Sequence, residues 1–339
     1  MIWIVAFAAS VAATWLVRRL ARRLGLMAQP SPLVPQHRVP VAYLGGAGIA
    51  IGFAVALAVA RPALDGRAAA FLVPGLGFLV LGLIDDLRPF RPIAKLTWQT
   101  LLAVVAVSLG VQATVTGIGL VDSALAVMWI VLLTNAANVT DVCDGLAGGI
   151  AAVGLVYLGL VSSEARPFAW PLAAACVGFL VFNRPPASIF MGDAGSLLLG
   201  FALAALSMRV LEVQPLWPGI PMAVAAGALF VFEALFLIVI RPTKGMPFWK
   251  GSRDHFSLRM QAAGWSKWRT DLASWTIAAT VCFIAWSLPA SSFAAQVTLV
   301  AALLAATGGF VVWLLRHEAA LHRPQPNLAA EMPPRAKVG

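Results

Sequence analysis

Charge is scarce in this chain: 11% of its 339 residues are Asp, Glu, Lys or Arg, against 60% hydrophobic. A soluble domain carries about 25% charged residues, so the deficit excludes an ordinary water-soluble fold. Alternation is missing as well. The apolar runs are continuous rather than period-two, which argues against a β-barrel and leaves a bundle of membrane-spanning helices. No polar stretch between the runs exceeds about thirty residues, too short to build a soluble core, and no soluble repeat is present. The N-terminal apolar run has no basic segment before it. Its arginines follow, so the run reads as an uncleaved anchor and not as a removable signal peptide.

Eleven spans, each near the length that crosses about 30 Å of hydrocarbon, are expected at 1–17, 42–60, 68–84, 96–112, 118–134, 145–162, 167–183, 195–209, 217–240, 272–289 and 292–315. The basic residues orient them. With the N-terminus outside, Arg18, Arg19, Arg22, Arg23 and Arg38 fall in the first inner loop, and Arg88, Arg91 and Lys95 in the second. Arg184 follows in the fourth, and Arg241, Lys244, Lys250, Arg253, Arg259, Lys267 and Arg269 in the fifth. Only Arg61, Arg67, Arg166 and Arg209 remain outside, so the positive-inside bias predicts N-out and C-in. The fold class read here is therefore all-α and polytopic: an integral domain over 1–315 and a Pro-rich cytoplasmic tail over 316–339, expected to be disordered.

Acids are outnumbered 14 to 24, giving a net charge of +10. Topology and anionic headgroups account for that excess without nucleic acid. Cysteine is rare: Cys143, Cys176 and Cys282 fall in an inner loop or in spans, so a disulfide framework is not expected.

What polarity exists is gathered on one side, in the inner loops 18–41, 85–95, 135–149, 183–195 and 241–271. Asp85 and Asp86 end the apolar run that closes with Ile84; adjacent carboxylates repel, and a cation or a shared proton relieves them. A solvated loop start balanced by Arg88 and Arg91 is the plainer reading. Lys95 and Gln99 follow, the lysine placed to snorkel or to bind phosphate. Asn135, Asn138, Asp141 and Asp144 repeat every third residue, the spacing of one helix face. Their short oxygen side chains suit a hard cation, Mg²⁺ or Mn²⁺, better than zinc. Between Asn183 and Ser196, small residues around Asp193 allow close approach of a ligand to the backbone, and Phe190 can stack on a planar base. The last loop interleaves Trp249, Trp265 and Trp268 with base-rich sequence, as an interfacial anchor does; Lys250, Arg253, His255 and Arg259 also offer a diphosphate site. Glu233 lies inside a span and is a functional candidate on that ground.

In order and sidedness these residues resemble the polyprenyl-phosphate N-acetylhexosamine-1-phosphate transferases, glycosyltransferase family 4. That family includes the initiators of O-antigen and teichoic acid and the muramyl-pentapeptide translocase. The resemblance runs from His37 and Gly45-Gly46 through Asp85-Asp86, Lys95 and Gln99, Asn135 to Gly149 and Asn183 to Gly200, ending at Asp254 to Ser266. Eleven spans with the C-terminus inside look more like the GlcNAc-1-phosphate branch than the ten-span branch. The resemblance implies a bacterial inner-membrane enzyme with its site facing the cytoplasm. It would move a sugar 1-phosphate, an N-acetylhexosamine-1-phosphate, from a UDP-sugar to undecaprenyl phosphate with release of UMP, the first membrane step of a cell-envelope glycan.

By the same resemblance, Asp193 and Asn138 would hold Mg²⁺ and Lys95 would bind phosphate. Asp144, with Phe190 and Asn183, would recognise uracil, and Asn135 and Asp141 would complete the donor site. Asp85 and Asp86 would sit by the lipid phosphate as base, nucleophile or orienting groups, while His255 and Arg259 would engage the diphosphate or the sugar phosphate. A homodimer is compatible with this reading. The chain departs from the family at three places. The last-loop His-x-His-His is His255-Phe256-Ser257-Leu258; Asp-Gly-x-Asp-Gly is Asp141-Val142-Cys143-Asp144-Gly145; and the Arg-Lys pair before His37 is Val34-Pro35. These departures point to a divergent member with a different N-acetylated sugar. Two readings compete: a transporter or flippase, which would place its polar groups nearer the midplane, and an inactive homologue that binds nucleotide or lipid.

Overall fold

The computed structural model describes residues 1–30, 37, 39–61, 65–247 and 249–318. The 319–339 part of the tail, the Val34-Pro35 pair and Arg38 lie outside them. Among the described residues the chain is all-α apart from one two-residue strand pair. Its helices are α1 (Ile2–Arg23), α2 (Gly45–Ala60), α3 (Gly66–Leu87), α4 (Pro92–Ser108), α5 (Gly119–Thr140), α6 (Leu146–Val161) and α7 (Arg166–Asn183). They continue with α8 (Gly192–Val213), α9 (Leu216–Ala225), α10 (Ala228–Thr243), α11 (Phe256–Ala262), α12 (Lys267–Ser287) and α13 (Phe293–Arg316). Seven of them are long and apolar enough to cross a membrane. An eighth span results if α9 and α10, bent by 76° at their junction, count as one. Three shorter apolar helices, α2, α4 and α6, lie where further spans are expected from the sequence.

Helix α8 is the centre of the bundle. The span expected at 195–209 is a 22-residue helix buried along nearly its whole length, with α2, α3, α5 and α6 packed around it. Small residues make this possible. A Cβ on Gly46 would stand 2.1 Å from the Gly195 nitrogen, and one on Gly82 would stand 2.4 Å from the Ala194 nitrogen, so α2 and α3 touch α8 backbone to backbone. Helices that associate in lipid gain mainly from such close packing, because apolar burial contributes little there.

The outer helices show the opposite pattern. On α3, Phe71, Phe78, Leu81 and Asp85 are buried, while Val73, Leu76, Val80, Ile84 and Leu87 are exposed. That is a helical period with its apolar exposed face turned to lipid, and it carries Asp85 into the bundle. At the end of the bundle where α3 and α5 finish and α8 begins, strands β1 (Met27–Ala28) and β2 (Val41–Ala42) pair antiparallel. The Phe190 N–H donates to the Ala42 carbonyl at 2.8 Å, and the Gly45 and Gly46 N–H groups donate to the Phe190 and Met191 carbonyls at 2.8 Å each. This zipper fixes the segment leading into α8.

Candidate active site

Four elements end at one place and bring five polar residues together. Asp85 and Asp86 come from the end of α3, Lys95 from the first turn of α4, Asn138 from the last turn of α5 and Asp193 from the first turn of α8. The Lys95 ammonium lies at the centre. It donates to Asn138 Oδ1 at 3.1 Å, pairs with Asp85 Oδ2 at 2.9 Å, and bonds Asp193 Oδ2. Asn138 Nδ2 donates to Asp193 Oδ1 at 2.7 Å and to Ser196 Oγ at 3.0 Å. Asp85 Oδ1 accepts the Phe90 N–H at 2.6 Å, which turns the chain from α3 toward α4.

The two adjacent acids have different surroundings. Both oxygens of Asp86 accept N–H groups from the first turn of α8, from Asp193 at 2.8 Å and Ala194 at 3.1 Å. A carboxylate there satisfies otherwise orphaned donors and complements the helix dipole. Gly192 permits it: its φ is +74°, and a Cβ would stand 2.6 Å from Asp86 Oδ2. Asp86 therefore fixes Asp193, and Asp85 faces the lysine. Asn135 lies one turn before Asn138 and donates to Gln99 Oε1 at 2.7 Å, bracing α5 against α4. Asp141 caps the end of α5. Burial first, and then the charges of Asp193, Asp86 and Asp144, push its carboxyl up to about 8.

Beyond Asp141 the polar stripe divides. Asp144 turns away from Lys95 into a second cluster, where His37 Nε2 lies 2.9 Å from its Oδ1. Its Oδ2 accepts from Lys267 Nζ at 2.9 Å and from the Ala187 N–H at 3.2 Å. Burial opposes its ionisation, but these hydrogen bonds and the lysine and histidine charges hold Asp144 below the usual carboxylate range. Asn183 is not exposed to this cluster as a free side chain. Its amide bridges Gly145 N–H and the Ile189 carbonyl at 2.9 Å each, tying the two loops together. The His37 and Phe190 rings lie 4.4 Å apart, tilted by 39°. The cluster thus combines an aromatic face with a hydrogen-bonding carboxylate, the kit that a planar base needs.

The last loop folds on itself. His255 Nδ1 is 2.6 Å from Glu233 Oε1, whose other oxygen accepts the Phe256 N–H at 3.2 Å, and His255 Nε2 is 3.4 Å from Arg241. Arg259 is fully buried. Its guanidinium holds the Asp254 carboxylate at 2.8 Å and carbonyl at 3.1 Å, the Leu314 carbonyl at 3.2 Å, and Glu318 at 3.6 Å. Lys244 also pairs with Asp254. Against burial, Lys244 first and then Ser252 and Arg259 keep the Asp254 carboxyl below its ordinary range. Where the resembled family carries a further imidazole, Ser257 Oγ meets Cys143 Sγ at 3.2 Å. The departure at Ser257 therefore packs against Cys143, the neighbour of the departing Val142.

Two residues of the Asp144 cluster are poorly marked in sequence. Lys267 reads as one more inner-loop cation, yet it occupies the first position of α12 after the Ser266 cap. A cation at a helix N-terminus is disfavoured by the dipole, and that mismatch is the signal of an acidic partner. His37 is recognisable only through the resemblance.

Among the described residues no three His, Cys, Asp or Glu side chains form a metal-binding group by themselves. The donor set at Lys95 is two carboxylates and an amide oxygen around an ammonium that stands in for a cation. That set fits Mg²⁺, which takes one or two carboxylates and fills its remaining positions with water and substrate phosphates.

Residues 68–211 match the profile of glycosyl transferase family 4. A Bacillus subtilis (strain 168) protein, named a probable undecaprenyl-phosphate N-acetylglucosaminyl 1-phosphate transferase, is 29% identical over 267 residues, which cover 75% of this chain and 74% of that one. The phospho-N-acetylmuramoyl-pentapeptide-transferase of Moorella thermoacetica is 34% identical over 267 residues, covering 69% of this chain and 80% of its own. That of Levilactobacillus brevis is 35% identical over 157 residues, 44% of this chain and 46% of its own.

Proposed function

The chain belongs to glycosyl transferase family 4, and on that premise we propose that it transfers an N-acetylhexosamine 1-phosphate from a UDP-sugar to undecaprenyl phosphate. The observation that carries this reading is the Lys95 ammonium held by Asp85, Asn138 and Asp193 at the meeting of four helix ends. It stands beside a cluster built from His37, Phe190 and Asp144. A charged site with an aromatic ring and a carboxylate nearby suits a nucleotide diphosphate, and the relatives' names supply the lipid acceptor and the sugar phosphate.

In the proposed reaction an oxygen of the acceptor phosphate attacks the β-phosphorus of the UDP-sugar. The bond from that phosphorus to the α,β-bridging oxygen breaks, and UMP leaves with the electron pair. The acceptor monoester is already ionised at neutral pH, so no strong base is required. Positioning and charge neutralisation do most of the catalysis in such a transfer. Asp193 and Asn138 would hold Mg²⁺, or Mn²⁺ in its place, and the bound ion supplies positive charge to the diphosphate. Lys95 adds a second cation for a phosphate, and Asp85 keeps that ammonium in place. Asp86 acts one step back, by fixing the start of α8 and with it Asp193. Asp144 and Phe190 bind the base, and Asn183 holds the cluster's loops. His255, set by Glu233, faces the sugar phosphate.

The same reading places the protein in the bacterial inner membrane with eleven spans, the N-terminus outside and the polar end of the bundle in the cytoplasm, where a soluble donor meets a lipid acceptor. The test is UMP release by purified protein given undecaprenyl phosphate, Mg²⁺ and a panel of UDP-sugars. UMP formed with lipid, metal and one UDP-N-acetylhexosamine supports the assignment. Folded protein that releases none with any donor contradicts it.

A further inference from the structure

Helix α12 carries a buried carboxylate that the proposed reaction does not use. Asp271 is 1% exposed, and neither of its oxygens has a hydrogen-bond partner among the described residues. It lies against the loop that presents Asp144: a Cβ on Gly145 would stand 2.9 Å from Asp271 Oδ2. It is also within electrostatic reach of both Asp144 and Lys267. An unsatisfied buried carboxyl is costly, so its retention beside the proposed base site calls for a donor that arrives in another state of the protein.

The donor is on the same helix. Lys267 precedes Asp271 by four residues, so the two side chains share a helix face. In this structure the Lys267 ammonium is bonded to Asp144 Oδ2, and the lysine side chain is 29% exposed, against 16% for His37 on the same acid. With His37 and the Ala187 N–H also in place, Asp144 has three partners, two of them on Oδ2, and about one of a carboxylate's four acceptor positions is left for a base. A nucleotide N–H gains access to Oδ2 when one of its donors withdraws, and the lysine is the one with a second acceptor on its own helix.

We propose that Lys267 exchanges Asp144 for Asp271 when the donor nucleotide binds, so that Asp271 is the positioning residue that releases Asp144 to the base. This rests on the donor-site reading above. The exchange trades one buried ion pair for another and spends the freed carboxylate on recognition. It makes Asp271 a determinant of nucleotide affinity without contact to the nucleotide.

A double-mutant cycle on the full-length protein tests it, with UDP as the ligand and calorimetry in detergent as the readout. With Lys267 present, Asp271→Asn strands the ammonium and should weaken UDP binding roughly tenfold. With Lys267→Met, no ammonium needs an acceptor, and the same Asp271→Asn change should alter affinity less than about twofold. Equal weakening in both backgrounds would mean that Asp271 touches the nucleotide itself, and weakening in neither would mean that it is only structural; each overturns the exchange. A second measurement needs no variant. UDP should slow acylation of Lys267 in the wild-type protein, read by mass spectrometry, and an unchanged rate overturns the proposal. Wild-type protein that binds no UDP would instead overturn the donor reading, and the exchange with it.

Discussion

Two polar clusters occupy the same end of this bundle and are built on opposite plans. Around Lys95, three oxygen-bearing side chains from three different helices converge on one flexible ammonium. Around Arg259, a guanidinium with no exposed surface is held by side-chain and main-chain oxygens of its own loop, by the Leu314 carbonyl inside α13 and by Glu318 just after it. In the first cluster two of the partners are converging acids whose mutual repulsion a cation relieves, so a further cation can join the lysine there. In the second the partners are enclosed, and removing a member leaves buried groups short of a counter-charge. Both clusters are rich in charge and both resemble a phosphate site in sequence. Their packing separates a place where charge is exchanged from a place where it is locked.

That contrast is broken most directly by substitutions that should fail in different ways. Asp193→Asn keeps the shape of α8 but removes the charge that holds Lys95 and that the proposed metal would need. Transfer should fall by at least about 100-fold, while the melting temperature stays close to wild type; near-normal turnover would remove the metal assignment. Arg259→Ala should behave in the opposite way. It leaves Asp254 with Lys244 but without its buried guanidinium, empties a buried site and should cost about 3 kcal/mol of stability, visible in detergent melting curves before any turnover is read. A variant that melts normally but loses activity would return Arg259 to the substrate.

Smaller effects sharpen the division inside the site. Asp144→Ala should weaken UDP affinity about 10- to 100-fold, the range of a hydrogen bond to a charged group, with the KM for lipid phosphate little changed. Equal shifts in both would detach Asp144 from the nucleotide. The smallest expected effect concerns Asp141. Its carboxyl is pushed up to about 8 in the folded protein from an ordinary value of 3.8. Between these values the folded state holds a proton that the unfolded state has released, so stability falls as pH rises through that window. Asp141→Asn removes this penalty. In EDTA it should raise the melting temperature at pH 8 by a few degrees and leave it unchanged at pH 4. An equal gain at both would mean that the carboxyl's titration is not the cause.

Much of this was readable before any coordinate. The two acids were marked by their place at the end of an apolar run, but the structure is what sets Asp85 in the buried register of Phe78 and Leu81 on α3 and turns Asp86 toward α8. The adjacency of two acids in sequence hides that division of labour. The run from Asn135 to Asp144 gave its helical spacing away but not its break: α5 ends at Thr140, and the turn after it sends Asp144 to His37 instead of Lys95. The α9–α10 bend was missed because 217–240 is apolar throughout, and its break is a matter of local backbone. Arg259 was the least legible. A basic loop at a membrane surface predicts solvated cations, and only the docking of α11 against α13 decides that this one is buried. Glu233 illustrates the reverse case, since an acid inside a span needs a partner, and His255 is that partner at 2.6 Å.

The central claim is that the sugar travels with its phosphate. The most direct measurement supplies UDP-N-acetylhexosamine carrying radiophosphorus at either the α or the β position to wild-type protein with undecaprenyl phosphate and Mg²⁺, and then partitions the label between lipid and water. The account predicts β-label in the lipid phase and α-label in UMP. Both labels retained in water, as unreacted donor or as released UDP, would contradict it.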